Sequence, residues 1–270
     1  MASKFQGLRG HAWRLLLLVL LCAVSLQLFF LARIALMGVV DPQSTTFQRS
    51  EIVRLAVDKQ QVAWAQQWVD NDRIADHLKR AVIASEDTGF VEHSGVEWDA
   101  LEAAWEKNQR AEAAADRRNA QLAAQSARRA PPPDNPAAPK PRPAVVPKVV
   151  GGSTISQQLA KNLFLSGERT VLRKAQEFVL TFMLEGLLGK QRILEIYLNS
   201  VEWGEGVFGA EAASRRYFRA GAGSLSAGQA AQLAVLLPAP KRFEKRIGSP
   251  YVTGRASTIA ARMGGVDLPR

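Results

Sequence analysis

Between Leu15 and Ala32 the chain runs for eighteen residues without a charge. No other feature restricts the possible folds as much. At about 1.5 Å per residue a helix of that length reaches roughly 27 Å, close to the ~30 Å hydrocarbon core of a bilayer. Extending the run to Val40 takes in Arg33, whose long side chain can snorkel to the interface. Lys4, Arg9 and Arg14 precede the run. By the positive-inside bias they hold the N-terminus in the cytoplasm and send the remainder across. The rival reading is a cleaved signal peptide, but the run exceeds the usual ~7–15-residue signal core and no clean small-x-small site follows it. Cys22 follows Leu21, which argues against a lipoprotein site. A core helix of a soluble protein would show a polar face, and this run has none.

Cys22 is the one cysteine, so neither an intrachain disulfide framework nor a cysteine zinc site is available. His11, His77 and His93 are too scattered to suggest a histidine metal cluster. The net charge of +10 calls for an anionic partner: a membrane surface, a phosphate-bearing substrate or nucleic acid. Half of it, however, lies in residues 108–150, where eight basic residues stand against three acidic ones. That stretch also holds twelve Ala and eight Pro. Its first half suits a polar helix, and Pro131 to Pro147 should be extended. It reads as a low-complexity insertion in a surface loop, which costs little extra chain entropy.

The expected organisation is a cytoplasmic tip and anchor over 1–40, then a domain over 41–270 interrupted by 108–150. Setting both segments aside leaves 187 residues, enough for one substantial core. Ile52 to Leu78 has helical spacing. Thr154 and Gln157 are placed like a capping box, with Ile155, Leu159 and Leu163 as an apolar stripe. Further helices are expected over Val171–Leu188, over Gln191–Leu198, and from about Ser226 to Pro238. Gly204, Gly206 and Gly209 mark a loop. No alternation or hairpin signal competes, so the class is mainly α.

Three constellations carry chemistry. Glu86 and Asp87 follow the apolar Val82-Ile83-Ala84, at the end of a helix. Partial desolvation and the helix C-terminal dipole would both raise a carboxyl pKa there and suit a general base. A solvated acidic turn is the plainer reading of the same residues. Gly151-Gly152-Ser153-Thr154 opens a helix and gathers backbone N–H groups that bind anions. Lys161 lies two helical turns further on. An ordinary capped helix fits as well. Arg169, Arg173, Lys174 and Glu177 make a cationic lining for a pyrophosphate, or, more simply, a helix ion pair at spacing four.

Taken together and in order, these segments resemble the peptidoglycan glycosyltransferases, glycosyltransferase family 51, the polymerase-domain type of bifunctional penicillin-binding proteins. Glu86, Asp87, Phe90, His93 and Gly95 meet the Glu-Asp-x-x-Phe-x-x-His-x-Gly pattern. Ser153, Thr154, Ile155, Gln157, Gln158, Lys161 and Asn162 meet the second. Arg173-Lys174-x-x-Glu177 is the third, and Ile193-Leu194-Glu195-x-Tyr197-Leu198-Asn199 the fourth. A Gly-rich fifth runs from Gly204 to Tyr217-Phe218. The resemblance spans about residues 75–245 apart from the insertion, which departs from the short segment that usually joins the first two patterns. No Ser-x-x-Lys or Lys-Thr-Gly occurs, so the acylation chemistry of a transpeptidase is not expected and the monofunctional members are the nearest type.

The resemblance implies a lysozyme-like, mainly α glycosyltransferase domain behind a transmembrane helix. It implies transfer of a growing strand from undecaprenyl pyrophosphate to the GlcNAc 4-hydroxyl of lipid II, with inversion. It makes Glu86 the general base and Glu177 the second family carboxylate, orienting the basic cluster. Ser153, Gln157, Gln158 and Asn162 would line the cleft; Lys161, Arg169, Arg173 and Lys174 would face the leaving pyrophosphate. Asp87, Phe90 and His93 would brace the Glu86 loop, and Glu195, Tyr197 and Asn199 would be structural. No resident cofactor is required, with room for a divalent cation, magnesium or manganese, at the pyrophosphate. The expected partners are lipid II, the glycan strand and other cell-wall synthesis or division proteins, with no nucleic acid. The expected location is the bacterial inner membrane, single-pass, with the catalytic domain periplasmic. A lytic relative or a non-enzymatic anchored scaffold are the rivals; the basic cluster argues against the first.

Overall fold

The computed structural model describes residues 2–60, 62–128, 143–146, 151–168 and 170–269. Arg169 and most of the Pro-rich stretch lie outside these residues. Two compact units emerge, one of Met1–Gly95 with Thr154–Arg270 and one of Val96–Ser153.

In the first unit, α1 (Ala2–Leu36) contains the apolar run. Its segment His11–Leu36 is long and apolar enough to cross a membrane. The solvent-facing pattern stops before the helix does. Ile34 and Met37 are buried. Phe30 meets Phe164 edge-on at 5.3 Å between ring centroids. Gln27 and Gln176 exchange amide hydrogen bonds of 2.9 and 3.1 Å. Arg33 lies over the Phe164 ring. The anchor therefore ends as part of the folded body.

Helix α2 (Thr46–Lys59) starts with a capping box between Thr45 and Gln48. It stops at Gln60, whose left-handed φ of 53° ends the first helix of the stretch expected to be helical from Ile52 to Leu78. The following chain forms β1 (Ala65–Gln66) before α3 (Asp76–Glu86) begins. The second unit is built on α4 (Trp98–Arg128), whose Asn119 grips the backbone of Val145 through both ends of its amide, at 2.7 and 3.1 Å.

After it come α5 (Ile155–Phe164), α6 (Val171–Leu187) and α7 (Lys190–Ser200). Then β2 (Glu202–Gly204) and β3 (Val207–Phe208) precede α8 (Ala210–Phe218), α9 (Ala227–Leu236), α10 (Pro240–Phe243) and α11 (Pro250–Arg262). Helix α7 is central: Ile193, Leu194, Ile196, Tyr197 and Leu198 are fully buried. Helix α5 packs on α2, α6 and α7, while α3 packs on α9 and α11. Glu195 accepts from the Asn71 N–H, and Asn199 bonds both N–H and C=O of Val69, so α7 also pins the chain that leads into α3.

The small sheet has order β1-β3-β2, with β1 parallel and β2 antiparallel to β3. The sequence gives no sign of it. Its strands have two or three residues, and β2 and β3 are buried throughout, so no alternation exists to be read. Gly206, at φ 71°, turns β2 into β3 where a Cβ would lie 2.0 Å from the Ala63 carbonyl oxygen.

Candidate active site

Helix α3 ends at Glu86 and delivers Glu86 and Asp87 to opposite tasks. Asp87 is buried, and its two oxygens are spoken for. Oδ2 accepts the Ile155 N–H at the start of α5 (2.9 Å), and Oδ1 lies 2.8 Å from His93 Nε2. His93 Nδ1 accepts the Gly95 N–H (3.1 Å), which leaves the ring proton on Nε2, directed at Asp87. Thr154 Oγ1 donates to the Gly95 carbonyl at 2.6 Å while also capping α5. Gly95 is at φ 93°, and a Cβ there would press within 2.8 Å of Thr181 and Glu185. The first two sequence patterns are thus joined into one structure. Phe90 is fully buried beneath the Lys190 ammonium, 4.6 Å from its ring centroid.

Glu86 is only partly buried as a residue, yet its carboxyl is well removed from solvent. Burial raises its pKa above the ordinary carboxylate range; hydrogen bonds from Gln158 and Ser85 oppose this, and the Asp87 charge adds to it. Gln158 Nε2 donates to Glu86 Oε2 at 3.0 Å. The amide cannot turn over, because Tyr197 Oη donates to Gln158 Oε1 at 3.0 Å. Tyr197 is wholly buried, and its phenol is pushed far above its usual value by burial and then by Glu86 and Asp87. It therefore stays a donor. The result is a fixed line from Tyr197 through Gln158 to Glu86.

Next to this line a cleft of about 460 Å³ opens. Gln158, Lys161, Asn162 and Arg173 line it, with Glu168 beside them. Phe47, Ser50, Glu202 and Pro240 line it as well. Glu177, 3 % exposed, stands behind the cations. Arg173 donates to its Oε2 at 2.9 Å, and Lys174 pairs with its Oε1. Desolvation lowers the Lys161 pKa; Glu177 resists that shift, and Arg173 and Lys174 add to it. A buried carboxylate that restrains two cations leaves a third, Lys161, facing open space. Lys161 and Arg173 thus bring positive charge to a lining that also holds Glu168 and Glu202.

Gln157 lies behind this lining, 1 % exposed, with Oε1 accepting the Thr154 N–H. Its side chain completes the capping box. Lys174 also covers the Phe178 ring, at 5.0 Å. Ser153 belongs to the second unit. Arg169 is outside the described residues. Sequence reasoning passed over Phe47, Ser50 and Glu202, and it set Tyr197 aside as structural. One signal was available for Tyr197: a tyrosine in a fully apolar helix stripe usually carries a partner for its hydroxyl.

Comparison with known proteins shows the family. The family model described as Transglycosylase matches residues 54–123 and 145–264. A biosynthetic peptidoglycan transglycosylase of Burkholderia thailandensis is 47 % identical over 246 residues, covering 91 % of this chain and 83 % of that protein. One from Paraburkholderia xenovorans is 45 % identical over 91 % of this chain and 88 % of its own length. One from Bordetella pertussis is 44 % identical over 93 % and 91 %. The mainly α body behind one apolar helix fits the lysozyme-like architecture of such enzymes. The chain belongs to the transglycosylase family, the peptidoglycan glycosyltransferases.

Proposed function

We propose that this chain polymerises glycan strands from lipid II. The growing strand, held through MurNAc C1 to undecaprenyl pyrophosphate, passes to the GlcNAc 4-hydroxyl of the acceptor. The C1–O4 bond forms as the C1–pyrophosphate bond breaks, Glu86 takes the hydroxyl proton, and the configuration at C1 inverts. A single displacement needs a base and no nucleophilic side chain. The observation that carries the reading is the fixed Tyr197–Gln158–Glu86 line beside the cations Lys161 and Arg173. One end supplies a desolvated carboxyl for the acceptor, and the other stabilises the charge growing on the leaving group. Asn162 offers hydrogen bonds along the same lining, Gln158 acts by holding Glu86, and Lys174 acts through Glu177.

A resident divalent cation does not fit this cluster. Both Glu177 oxygens are already engaged by Arg173 and Lys174, and no step here passes through a metal. Helix α6 has two faces that suit a lipid-linked substrate. Arg173 lines the cleft with Glu177 buried behind it, while Leu172, Val179 and Phe182 are exposed at helical spacing. With α1 packed on α6, the apolar side of α6 lies by the anchor. We place the anchor in the inner membrane with the N-terminus cytoplasmic and the catalytic body periplasmic. In this reading 1–40 is tip and anchor, 41–270 is the catalytic domain, and 108–150 takes no part in the chemistry.

The direct test is polymerisation of labelled lipid II by the detergent-solubilised full chain. Long strands are expected, and their absence with folded protein would overturn the reading. The pH profile should be bell-shaped. Glu86 must be ionised, so the rate should fall with acid through a pKa above the usual carboxylate range. Lys161 must be charged, so the basic limb should begin below the usual lysine range. Lys161→Arg should move the basic limb upward and leave the acid limb in place. Tyr197→Phe frees the Gln158 amide; turnover should fall by about tenfold, with a stability loss near ~1 kcal/mol, measured by strand synthesis and thermal unfolding.

A further inference from the structure

The cleft that Lys161 lines also contains a carboxyl that the reaction above leaves unused. Strand β2 brings Glu202 to the cleft, where it is 6 % exposed. Its Oε1 is buried and finds no hydrogen-bond partner among the described residues. The nearest cation, Lys241 of α10, is 3.6 Å away. That ammonium is already held by Glu51 of α2 at 2.5 Å. Glu51 in turn also accepts from Arg54, and Arg54 reaches on to Glu205 at 2.7 Å. Glu202 is left with one long ion pair, to an ammonium it shares with Glu51, and no hydrogen bond of ordinary length to its Oε1. A buried oxygen so weakly satisfied is uncommon in a folded protein and calls for an explanation.

The neighbours of Glu202 indicate what would satisfy it. Ser50 contributes a hydroxyl, and Phe47 contributes an aromatic ring held edge-on against Phe208. A carboxyl, a hydroxyl and an aromatic face around one recess suit a pyranose, which offers hydroxyls and an acetamido N–H at its edges and C–H groups on its face. The recess is continuous with the lining that carries Lys161 and Arg173. What enters it is therefore the group attached to the pyrophosphate.

We propose that Glu202 is a saccharide-binding residue, which together with Ser50 and Phe47 holds the donor glycan strand by its hydroxyl and acetamido groups. This rests on the transglycosylase reading and adds a residue to it. Burial, helped by the Glu51 charge and opposed by Lys241 and Arg54, pushes the Glu202 carboxyl up to about 7. Near neutral pH it can both donate and accept, as a group facing sugar hydroxyls should.

The test is steady-state polymerisation of lipid II by the full chain, with strand length and thermal midpoint recorded for each variant. Glu202→Ala should raise KM about tenfold and shorten the strands, with kcat held within about twofold. Glu202→Gln keeps both hydrogen-bonding capacities and should stay within about threefold of wild type. Ser50→Ala, on an exposed turn of α2, should raise KM about threefold without affecting folding, and so keeps the idea testable if Glu202→Ala folds poorly. Wild-type KM and strand length in Glu202→Ala and Ser50→Ala would overturn the inference. So would a fall in kcat at constant KM that tracks the thermal midpoint, which is the mark of a structural role. A wild-type protein that makes no polymer removes the transglycosylase reading and this inference together; an active wild type with indifferent variants removes the inference alone.

Discussion

Glu86→Gln is expected to cut strand synthesis by about a thousandfold while leaving the fold intact, the middle to upper part of what a positioned general base contributes. The substitution is close to isosteric. The new amide oxygen can still accept from Gln158 Nε2, which now sits 3.0 Å from Glu86 Oε2. What disappears is the capacity to take the acceptor proton. A thousandfold loss corresponds to about 4 kcal/mol of transition-state stabilisation. Rates on labelled lipid II, beside thermal unfolding of both proteins, would measure it. Activity kept within tenfold would move the base elsewhere. Glu177, the next carboxylate in the family pattern, is poorly placed to take over, because both its oxygens are engaged by Arg173 and Lys174.

Asp87→Ala should have the largest effect on stability. It removes two hydrogen bonds made by a buried carboxyl, to the Ile155 N–H and to His93 Nε2, and leaves both donors stranded. Hydrogen bonds to charged groups contribute about 1.5–3 kcal/mol each, so a loss of about 3 kcal/mol is a conservative expectation. For a domain of this size that lowers the melting midpoint by roughly 6–12 °C. Activity should fall as well, because Asp87 fixes the end of α3 against the start of α5 and so sets where Glu86 meets Gln158. A midpoint within 2 °C of wild type, by about the same conversion, would contradict the joined structure described for these two segments.

Much of this architecture is readable from neighbouring residues. The apolar run from Leu15 foretells α1, and Thr154 with Gln157 foretells the start of α5, because both depend on residues no more than a few positions apart. The expected ends of α6 and α7 fall within a residue or two of those observed. The stretch from Ile52 to Leu78 is different. Its spacing suits helices, yet between α2 and α3 residues 65–66 pair with β3, more than a hundred positions away. Pairing partners that distant leave no local mark.

The order of motifs by itself determined the family, the apolar run marked the candidate membrane span, and the first and third motifs nominated Glu86 and Glu177. The tertiary structure alone decided how these side chains are held. Gln158 could have lined a cleft in many ways; that it holds Glu86 follows from a hydroxyl 39 positions further along, on a different helix. Gln157, equally polar in sequence, is turned inward, its Oε1 taken by its own helix cap. Glu202 was one acid among many until β2 placed it in the cleft that Lys161 and Arg173 also line. Periodicity and capping are interactions over three or four residues, so the sequence carries them openly. A hydrogen bond between helices depends on the angle and depth at which they pack, and that is the sum of every buried contact in the core.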